Sequence, residues 1–327
     1  MRRWRRSCVP RAQRRIRSVA PIKLIVFPGG FNWPVWVAEE KGLFAARDIE
    51  VTVTPTPGSV YQLTHLIDGT FDIAITLIDN VIAYRSGQGE APVTGPDLCG
   101  YLAADSRAFP ILVTAPDVKS YADLRGRTLS VDAMTTGYAF VLRAMLEKGG
   151  LKEDDYTLER VGGVQQRYQA LLEGKHAGSL FMSPFETLLK TRGCNVLDTA
   201  IRVLDSYQGH VAAARRDWVS THRDRMAGFV RAFTDAVAWL YDPAHRDEAF
   251  SIFCRHTPDA DRSAAASAYA ILFDAKTGFP RDGMIDVEGA KKVIELRARY
   301  GKPPVALGQP SDYFDRSFID AVRPSQG

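Results

Sequence analysis

The sequence predicts an α/β protein of two lobes, on three grounds. The chain has 327 residues, which exceeds the usual size of one compact domain and favours two units of roughly 100–200 residues each. Short β-rich segments alternate with helical segments, and glycine or proline separates them. The same order of elements starts again after Pro116, so each half of the pattern describes one lobe.

The first lobe opens with a strand at 22–27, a run of apolar and β-branched residues that ends at the letters PGG. A helix follows at 34–42, with Pro34 in its first turn and Gly42 at its end. We then expect a strand at 50–54, a helix at 60–67, a strand at 71–77 and a helix at 79–85. Strands joined by helices in this order favour βαβ units and a largely parallel sheet.

The second lobe repeats the pattern with a helical turn at 121–126, a strand at 128–131, a helix at 137–148, a strand at 156–161, a helix at 165–173 and a strand at 177–182. Helices are expected at 223–241, 247–256, 264–273 and 287–299, packed back on the first lobe. Segments near 102–114 and 202–214 would join the lobes. The expected division is 21–105 and 210–327 for the first lobe, and 106–209 for the second.

The positive net charge of the chain comes from its N-terminal tail. Residues 1–20 contain eight arginines and no acid, so removing them changes the formal net charge from +4 to −4. We expect this tail to be disordered. No basic stripe with interleaved aromatic residues continues into the rest of the chain, so we predict no nucleic-acid partner.

The tail lacks the apolar stretch of roughly 7–15 residues that a secretory signal needs after its basic region. No run of about 18 apolar residues occurs, so no transmembrane segment is predicted. We therefore expect a periplasmic or membrane-associated protein if the chain is exported, and a cytoplasmic protein otherwise.

Metal and cofactor motifs are absent from the sequence. The cysteines, Cys8, Cys99, Cys194 and Cys254, form no CxxC pair, and the histidines show no HExxH spacing. The phosphate-binding, dinucleotide-binding and nucleophile-elbow motifs are also missing. We predict no metal, no cofactor and no catalytic residue.

Four ordered segments carry a resemblance to a known family: PVWVAEEKGLF (34–44), LIDGTFDIAI (66–75), YADLRGRTLSV (121–131) and LLEGKHAGSL (171–180). Over residues 22–240 the chain resembles the substrate-binding proteins of the alkanesulfonate and thiamine-precursor group. These are the binding components of ABC transporters for alkanesulfonates, taurine, nitrate-type anions and thiamine-pyrimidine precursors.

The resemblance implies a type II periplasmic-binding-protein fold, in which two α/β lobes are joined by two crossover strands. It implies a small organic ligand in the cleft between the lobes, a membrane permease of an ABC importer as a partner, and a monomer. Closure of the lobes on the ligand would then be the functional event.

The ligand-binding residues are expected in the loops after the strands, because ligands of open α/β sheets bind beyond the carboxyl ends of the strands and near helix N-termini. Hydroxyls and glycines at helix starts suit a carboxylate or sulfonate, and aromatic rings suit an apolar body. The predicted ligand-binding residues are Phe31, Asn32, Trp33, Ser59, Tyr61, Thr76, Asp79, Asn80, Thr135, Thr136, Gly137, Tyr138, Pro184, Phe185, Glu186 and His210.

Each of these assignments has a structural alternative. Ser59, Thr135 and Thr136 could be helix N-caps, which are favoured at helix starts without any ligand. Asp79 and Glu186 could be capping or solvated carboxylates, and His210 could be structural. Trp36, within the helical stripe at 34–42, is assigned to the core.

The sequence favours a binding protein, with a cytoplasmic enzyme on the same fold as the alternative. A decarboxylase or desulfinase would need a cysteine or a poised acid–base group in the first loop, where Phe31 and Asn32 stand. Compared with the pyrimidine-precursor synthase of fungal type, which the first lobe also resembles, the cofactor histidine position falls at Asn80 and the cysteine-rich motif is missing. The expected ligand is a monoanion or a neutral heterocycle, with Arg107 and Arg167 as the exceptional cations that could reach the cleft.

Overall fold

The structure is a computed structural model that describes residues 20–93 and 97–322, and these residues form two five-stranded sheets flanked by helices. In chain order the strands are β1 Ile22–Val26, β2 Val51–Pro55, β3 Ile73–Leu77, β4 Leu98–Ala103, β5 Ile111–Thr114, β6 Arg127–Val131, β7 Tyr156–Arg160, β8 Gly178–Phe181, β9 Asn195–Thr199 and β10 His210–Arg215. The first sheet has the order β2-β1-β3-β10-β4 and the second the order β7-β6-β8-β5-β9. The predicted two-lobed α/β fold is confirmed.

The helices of the first lobe are α1 Trp33–Glu40, α2 Ser59–Ile67 and α3 Ile78–Arg85, and those of the second are α4 Gly137–Lys148, α5 Val164–Leu172 and α6 Phe185–Thr191. The C-terminal helices are α7 Arg216–Thr221, α8 Arg223–Tyr241, α9 Arg246–His256, α10 Arg262–Leu272, α11 Val287–Tyr300 and α12 Ser317–Val322. Helices α8 and α9 pack on α1 of the first lobe, as expected. Helix α11 contacts both α3 and α4, and α10 contacts α6, so these two helices reach the second lobe as well.

The central strands of the first sheet are buried because helices or neighbouring strands cover both of their faces. Strand β3 is buried along its whole length, and in β1 the exposed residue is Lys23. Such strands appear as continuous apolar runs. The edge strand β2 is only partly buried and ends at Pro55, which has no N–H to offer a further strand.

Each sheet combines parallel and antiparallel pairing, so the prediction of a largely parallel sheet is wrong in part. Strand β1 is parallel to β2 and β3, whereas β10 is antiparallel to β3 and β4. In the second sheet β6 is parallel to β7 and β8, whereas β5 is antiparallel to β8 and β9. Strands β5 and β10 each enter their sheet from the other lobe. The helical crossover that makes consecutive βαβ strands parallel therefore does not constrain them.

The chain crosses between the sheets through residues 104–110, after β4, and through residues 200–209, after β9. Both segments lie where the sequence placed the connections. All strands fall on the expected sides of the predicted lobe boundaries, whose positions after residues 105 and 209 remain predictions. The predicted disordered tail lies almost entirely outside the described residues. No helix in the described part of the chain is long and apolar enough to span a membrane.

A fully buried ion pair holds α3 and α11 together. In Arg297 the Nε atom donates to Oδ1 of Asp79 at 2.7 Å, and Nη2 donates to Oδ2 at 2.5 Å. The same guanidinium donates to the side-chain oxygen of Gln88 and to the carbonyl of Thr135, and it lies over the ring of Phe140 at 4.9 Å. Because Thr135 and Phe140 belong to the second lobe, this arginine joins the two lobes.

Replacing Asp79 by Asn is expected to lower the free energy of unfolding by about 3–5 kcal/mol, because the charge of Arg297 would stay buried without its partner. Urea denaturation followed by circular dichroism measures this loss. The control is Asp117→Asn, which removes an exposed pair with Arg127 and should change stability by no more than the error of the measurement. Similar losses in both variants would contradict the importance of the buried pair.

Candidate functional site

A cavity lies between the two lobes, beyond the carboxyl ends of their strands. The space between its lining atoms amounts to about 720 Å³ when the part open to solvent is included. The loop after β1 and the start of α3 line it from the first lobe. The ends of β6 and β8 and the helices α4 and α5 line it from the second lobe. The cavity therefore occupies the position where open α/β sheets bind ligands.

Aromatic rings form walls of the cavity on both lobes. Phe31 stacks on the imidazole of His210, with ring centroids 3.9 Å apart and an angle of 17° between the planes. Tyr138 presents its edge to the same imidazole at 6.4 Å. On the second lobe Phe185 packs against Tyr168 at 5.7 Å and also lines the cavity. These flat apolar surfaces suit a ligand with an apolar or aromatic body.

Arg167 supplies a positive charge at the cavity. Helix α5 places it on its buried face, and only 8% of the residue is exposed. Its Nε atom donates to the carbonyl of Gly162 at 3.1 Å, and Nη1 donates to the hydroxyl of Ser179 at 2.9 Å and the carbonyl of Leu180 at 2.7 Å. Among the described residues Nη2 has no partner. Three hydrogen bonds thus fix the guanidinium and leave one end for an occupant of the cavity.

The charge of Arg167 persists although the side chain is buried. Burial lowers the pKa of Arg167, and the neighbouring Asp132 carboxylate acts in the opposite direction. An arginine in a protein keeps its proton under such conditions. A buried cation attracts an anion more strongly than an exposed one, because less water screens the interaction.

Asp132 lines the same cavity but is already bonded to the first lobe. Its carboxylate oxygens accept from the backbone N–H of Ser59 at 3.2 and 3.3 Å. Ser59 is the first residue of α2, so this carboxylate takes the place that an anionic ligand would take at the helix N-terminus. In this structure a protein side chain from the other lobe satisfies the N–H of Ser59, and the predicted ligand role of Ser59 stays a prediction.

Asp105 and His210 form a buried pair where the two crossover segments meet the first sheet. The Nδ1 atom of His210 lies 2.5 Å from Oδ2 of Asp105, and the two side chains are 6% and 1% exposed. Asp105 follows β4 closely, and His210 begins β10. The imidazole also lines the cavity, so one residue contacts the hinge region and the site together.

Six of the predicted residues line the cavity, and their role in ligand binding remains a prediction. They come from the loop after β1, from α3, from the start of α4, from α6 and from β10. These residues are Phe31, Asn80, Thr136, Tyr138, Phe185 and His210.

Trp33, predicted as a ligand wall, is fully buried and is not among the residues that line the cavity. Helix α1 begins at Trp33 and turns its ring toward the C-terminal helices. Trp36, which the sequence assigned to the core, is the partly exposed one and stacks on His256 at 4.9 Å. The ring of Trp33 packs, at centroid distances between 4.4 and 6.5 Å, with Phe250, Phe253, Tyr269 and Phe273.

Tyr61, also predicted as a ligand wall, is not among the residues that line the cavity. The residue is 43% exposed and its ring contacts His65 on the next turn. Helix α2 begins at Ser59, and this start sets which side chains face inward. Gln62 and Leu63 face the core, whereas Tyr61 points outward. The phase of a short helix depends on its first residue, which the sequence does not fix to better than a turn.

Asp79, Thr135 and Gly137 form part of the interlobe ion-pair network and do not line the cavity. Asp79 is neutralised by Arg297, so it has no free charge for a cationic ligand group. The backbone N–H and the hydroxyl of Thr135 donate to Glu90 at 2.7 and 3.0 Å. A Cβ on Gly137 would lie only 2.7 Å from the Cβ of Asp79, so this glycine allows α4 to approach α3.

Asn32 and Thr76 support the lining residues from behind. The side-chain N–H group of Asn32 donates to the carbonyls of Phe27 and Gly29 at 2.6 and 3.2 Å, which fixes the loop that carries Phe31. Thr76 is buried, and its hydroxyl oxygen accepts from the side-chain N–H of Asn80 at 2.9 Å. Neither residue lines the cavity in this arrangement of the loops, and their predicted contact with the ligand stays a prediction.

Glu186 and Pro184 lie beside the cavity within the second lobe and do not line it. The Glu186 carboxylate accepts from the hydroxyls of Ser183 and Thr187 at 2.6 and 3.3 Å, while its Oε2 atom has no partner. Burial raises the pKa of the Glu186 carboxyl. Pro184 is buried at the start of α6. Both residues are buried at the first turn of α6, and their predicted ligand contacts stay predictions.

Several lining residues were not among those predicted, and most of them lie on the strands of the second lobe. The sequence does contain a signal that Arg167 is buried. It has the same helical spacing as Val164, Tyr168 and Leu171, and these residues form the buried face of α5. For the others no local signal is available, because apolar strand ends look alike wherever they face. They include Ser130, Asp132, Leu142, Ser179, Leu180 and Phe181.

Within residues 20–93 and 97–322 no cluster of three histidine, cysteine, aspartate or glutamate side chains could hold a metal ion. Cys99 and Cys194 are buried free thiols, and burial raises the pKa of the Cys99 thiol to about 11.

The two sheets, the paired crossovers and the cavity between the lobes define a class, the proteins with the periplasmic-binding-protein fold. Within this class the chain belongs to the NMT1-like family, whose model matches residues 18–254. A search of curated proteins finds no match.

Three solved structures are similar to this chain in fold. A protein from Bordetella bronchiseptica RB50 is 19% identical, with 93% of this chain and 96% of that chain covered and a TM-score of 0.77. The alkanesulfonate-binding protein SsuA from Xanthomonas axonopodis pv. citri is 14% identical, with 92% and 100% covered and a TM-score of 0.72. The desulfurization enzyme DSZB is 15% identical, with 91% and 98% covered and a TM-score of 0.63. At these identities the likeness shows the fold alone.

Replacing Trp33 by Ala is expected to lower the free energy of unfolding by about 3–5 kcal/mol, because it empties the centre of an aromatic cluster. The control is Tyr61→Ala, at an exposed position of the same lobe, which should change stability by less than about 0.5 kcal/mol. Chemical denaturation of both variants measures the difference. A Trp33→Ala protein of wild-type stability would show that this ring is not part of the core.

Replacing Glu186 by Gln tests the burial of its carboxyl through pH. Because the folded-state pKa is raised, the folded protein holds this proton more tightly than the unfolded chain does, so wild-type stability falls as the pH rises through that window. Glutamine carries no charge and avoids this loss. The free energy of unfolding of the variant should therefore increase relative to that of the wild type as the pH rises from about 4, which is close to the ordinary pKa of a glutamate side chain.

The control for this pH series is Glu173→Gln, at an exposed carboxylate whose pKa is lowered by the hydrogen bond from Lys175. It should show no such gain with rising pH. A constant difference between Glu186→Gln and the wild type across the series would contradict a raised pKa at this carboxyl.

Proposed function

We propose that this protein is a solute-binding protein that captures a small organic monoanion in the cavity between its lobes for an ABC-type importer. The observation that carries the proposal is Arg167. Its guanidinium is buried at the cavity, fixed by three hydrogen bonds, and has one end without a partner among the described residues. A preorganised guanidinium of this kind suits a carboxylate or a sulfonate.

The walls around Arg167 support an apolar or aromatic ligand body. Phe31 and Tyr138 face the cavity beside His210, and Phe185 faces it from the second lobe. An anionic group at one end and a flat apolar body at the other would satisfy both features. A neutral heterocycle would use the rings and leave the arginine unpaired.

Direct contacts between the lobes support capture by closure. The backbone N–H of Gly30 donates to the carbonyl of Ser183 at 3.0 Å, and the N–H of Gly163 donates to the carbonyl of Pro57 at 2.9 Å. Each bond joins a loop of the first lobe to a loop of the second. A ligand therefore enters when these bonds open and is enclosed when they form, which is the hinge mechanism of two-lobed binding proteins.

For this role the protein acts as a monomer outside the cytoplasmic membrane and delivers its ligand to a permease. The alkanesulfonate-binding protein with the same fold supports a role of this kind, and membership of the NMT1-like family is compatible with it. A thermal-shift screen of the full-length protein against small sulfonates, carboxylates and neutral heterocycles tests the proposal. A ligand at a hundred times its dissociation constant adds about 2.7 kcal/mol of stability, which is a shift of a few degrees.

Replacing Arg167 by Lys is expected to weaken the binding of an anion such as benzoate or benzenesulfonate by roughly 10–100-fold. Lysine keeps the charge but loses the planar fork that bonds Ser179, Leu180 and the ligand at the same time. Isothermal titration calorimetry measures the change. Binding of the neutral analogue benzamide should change much less in the same variant.

The matched control is Arg125→Lys, an exposed arginine of the second lobe that pairs with Asp155 away from the cavity. It should leave the affinity for each anion at the wild-type value. Equal affinities of Arg167→Lys and the wild type for the anions would contradict the proposed role of Arg167.

An enzyme on the same fold is the second candidate function, and the Asp105–His210 pair is the observation that favours it. A histidine whose Nδ1 atom is bonded to a buried carboxylate, and whose other nitrogen faces a cavity, has the arrangement of a general base. The ligand recovered after incubation with the protein discriminates between the two functions. Recovery of the unchanged compound supports binding, and conversion of the compound supports a cytoplasmic enzyme such as a decarboxylase or desulfinase.

A further inference from the structure

The hydrogen bonds of the Asp105 carboxylate determine where the neutral His210 ring carries its proton. Asp105 Oδ1 accepts from the backbone N–H of Ser106 at 2.8 Å, and Oδ2 faces the Nδ1 atom of His210 at 2.5 Å. An ionised carboxylate can only accept, so the neutral imidazole must hold its hydrogen on Nδ1. The other ring nitrogen, Nε2, is then an acceptor.

The position of the ring brings this acceptor to the cavity. His210 lines the cavity, and its face is held by the stacked ring of Phe31 while Tyr138 presents its edge. In the described part of the chain Nε2 has no hydrogen-bond partner. A polar atom in a largely apolar enclosure is costly when it stays without a partner, so an occupant that donates to it gains affinity.

We infer that the ligand carries a hydrogen-bond donor, a hydroxyl or an N–H group, which His210 Nε2 accepts while the anionic group lies at Arg167. This inference rests on the proposed function and narrows its ligand class to hydroxy- or amino-substituted organic monoanions. Asp105 acts as a positioning residue, because it sets the tautomer of His210 without touching the ligand. A ligand without a hydrogen-bond donor binds more weakly, because it leaves the acceptor Nε2 of His210 without a partner.

The probes for this inference are the isomeric hydroxybenzoates and the matching fluorobenzoates. Fluorine has a size close to that of a hydroxyl but offers no hydrogen. Calorimetry on the full-length protein at pH about 8, where an ordinary imidazole is neutral, should show one hydroxybenzoate bound roughly tenfold more tightly than its fluorobenzoate. If no hydroxybenzoate binds more tightly than its fluorobenzoate, the inference is overturned.

The variant Asp105→Leu tests the tautomer. Besides Nδ1, the backbone N–H of His210 donates to Asp105 Oδ2 at 3.4 Å, so an asparagine could keep its amide oxygen toward the histidine, whereas leucine offers no acceptor in either orientation. Without that acceptor nothing holds the ring proton on Nδ1, and it can move to Nε2, which is then a donor. The ratio of the two affinities, measured within the variant, should fall to about one or invert. An unchanged tenfold ratio would overturn the role of Asp105.

Two further variants keep the result interpretable. His210→Phe preserves the stack on Phe31 and removes Nε2, so the preference for the hydroxyl should disappear in a protein whose melting curve remains cooperative. Arg167→Lys should weaken both probes by a similar factor and keep their ratio. If benzoate binding depends on Arg167 but no preference for a hydroxyl exists in the wild type, the proposed function stands and only this inference fails.

Discussion

The buried ion pair between Asp79 and Arg297 is the constraint on which the geometry of the site depends. Asp79 lies in the first turn of α3, and the guanidinium that neutralises it also donates to the carbonyl of Thr135, just before α4. Gly137 removes the side chain that would separate the two helices. The relative position of α3 and α4 is therefore fixed by one arginine of α11. Because α3 carries Asn80 and α4 carries Tyr138, the same pair sets the distance between the two walls of the cavity.

The electrostatics of the cleft depend on which of its charged groups are already paired with other groups of the protein. A helix N-terminus in an α/β protein commonly attracts an anion, but the start of α2 is bonded to Asp132 of the opposite lobe. Asp79 is bonded to Arg297 and Asp105 to His210. Arg167 differs from these groups because its hydrogen bonds go to neutral acceptors, which hold the guanidinium without cancelling its charge. This asymmetry is what supports the proposal of an anionic ligand.

The crossover segments and the cavity share a residue, His210. His210 begins the strand that returns from the second lobe, Asp105 follows the strand that leaves the first, and their side chains join these two connections. A Cβ on Gly209 would lie 2.6 Å from Asp105 Oδ2, so the close approach requires glycine there. If the lobes close on the ligand as proposed, a ligand that contacts His210 would act at the junction of the two crossovers, and its differential affinity for the open and closed arrangements would shift their equilibrium.

The sequence by itself determined the two-lobed α/β class and the loops that surround the cavity. Pro34 and Gly42 delimit α1, the β-rich runs mark the central strands, and Phe31, Asn80, Thr136 and His210 reach the cavity because strand ends meet at one edge of a sheet. Only the tertiary structure decided which side chains face inward. Trp33 and Tyr61 turn away because the phase of a helix depends on its first residue. Asp79 is neutralised by a residue 218 positions later in the chain, and the direction of β5 and β10 follows from crossovers between lobes. Such long-range pairings leave no local pattern, since each partner by itself is compatible with an exposed position.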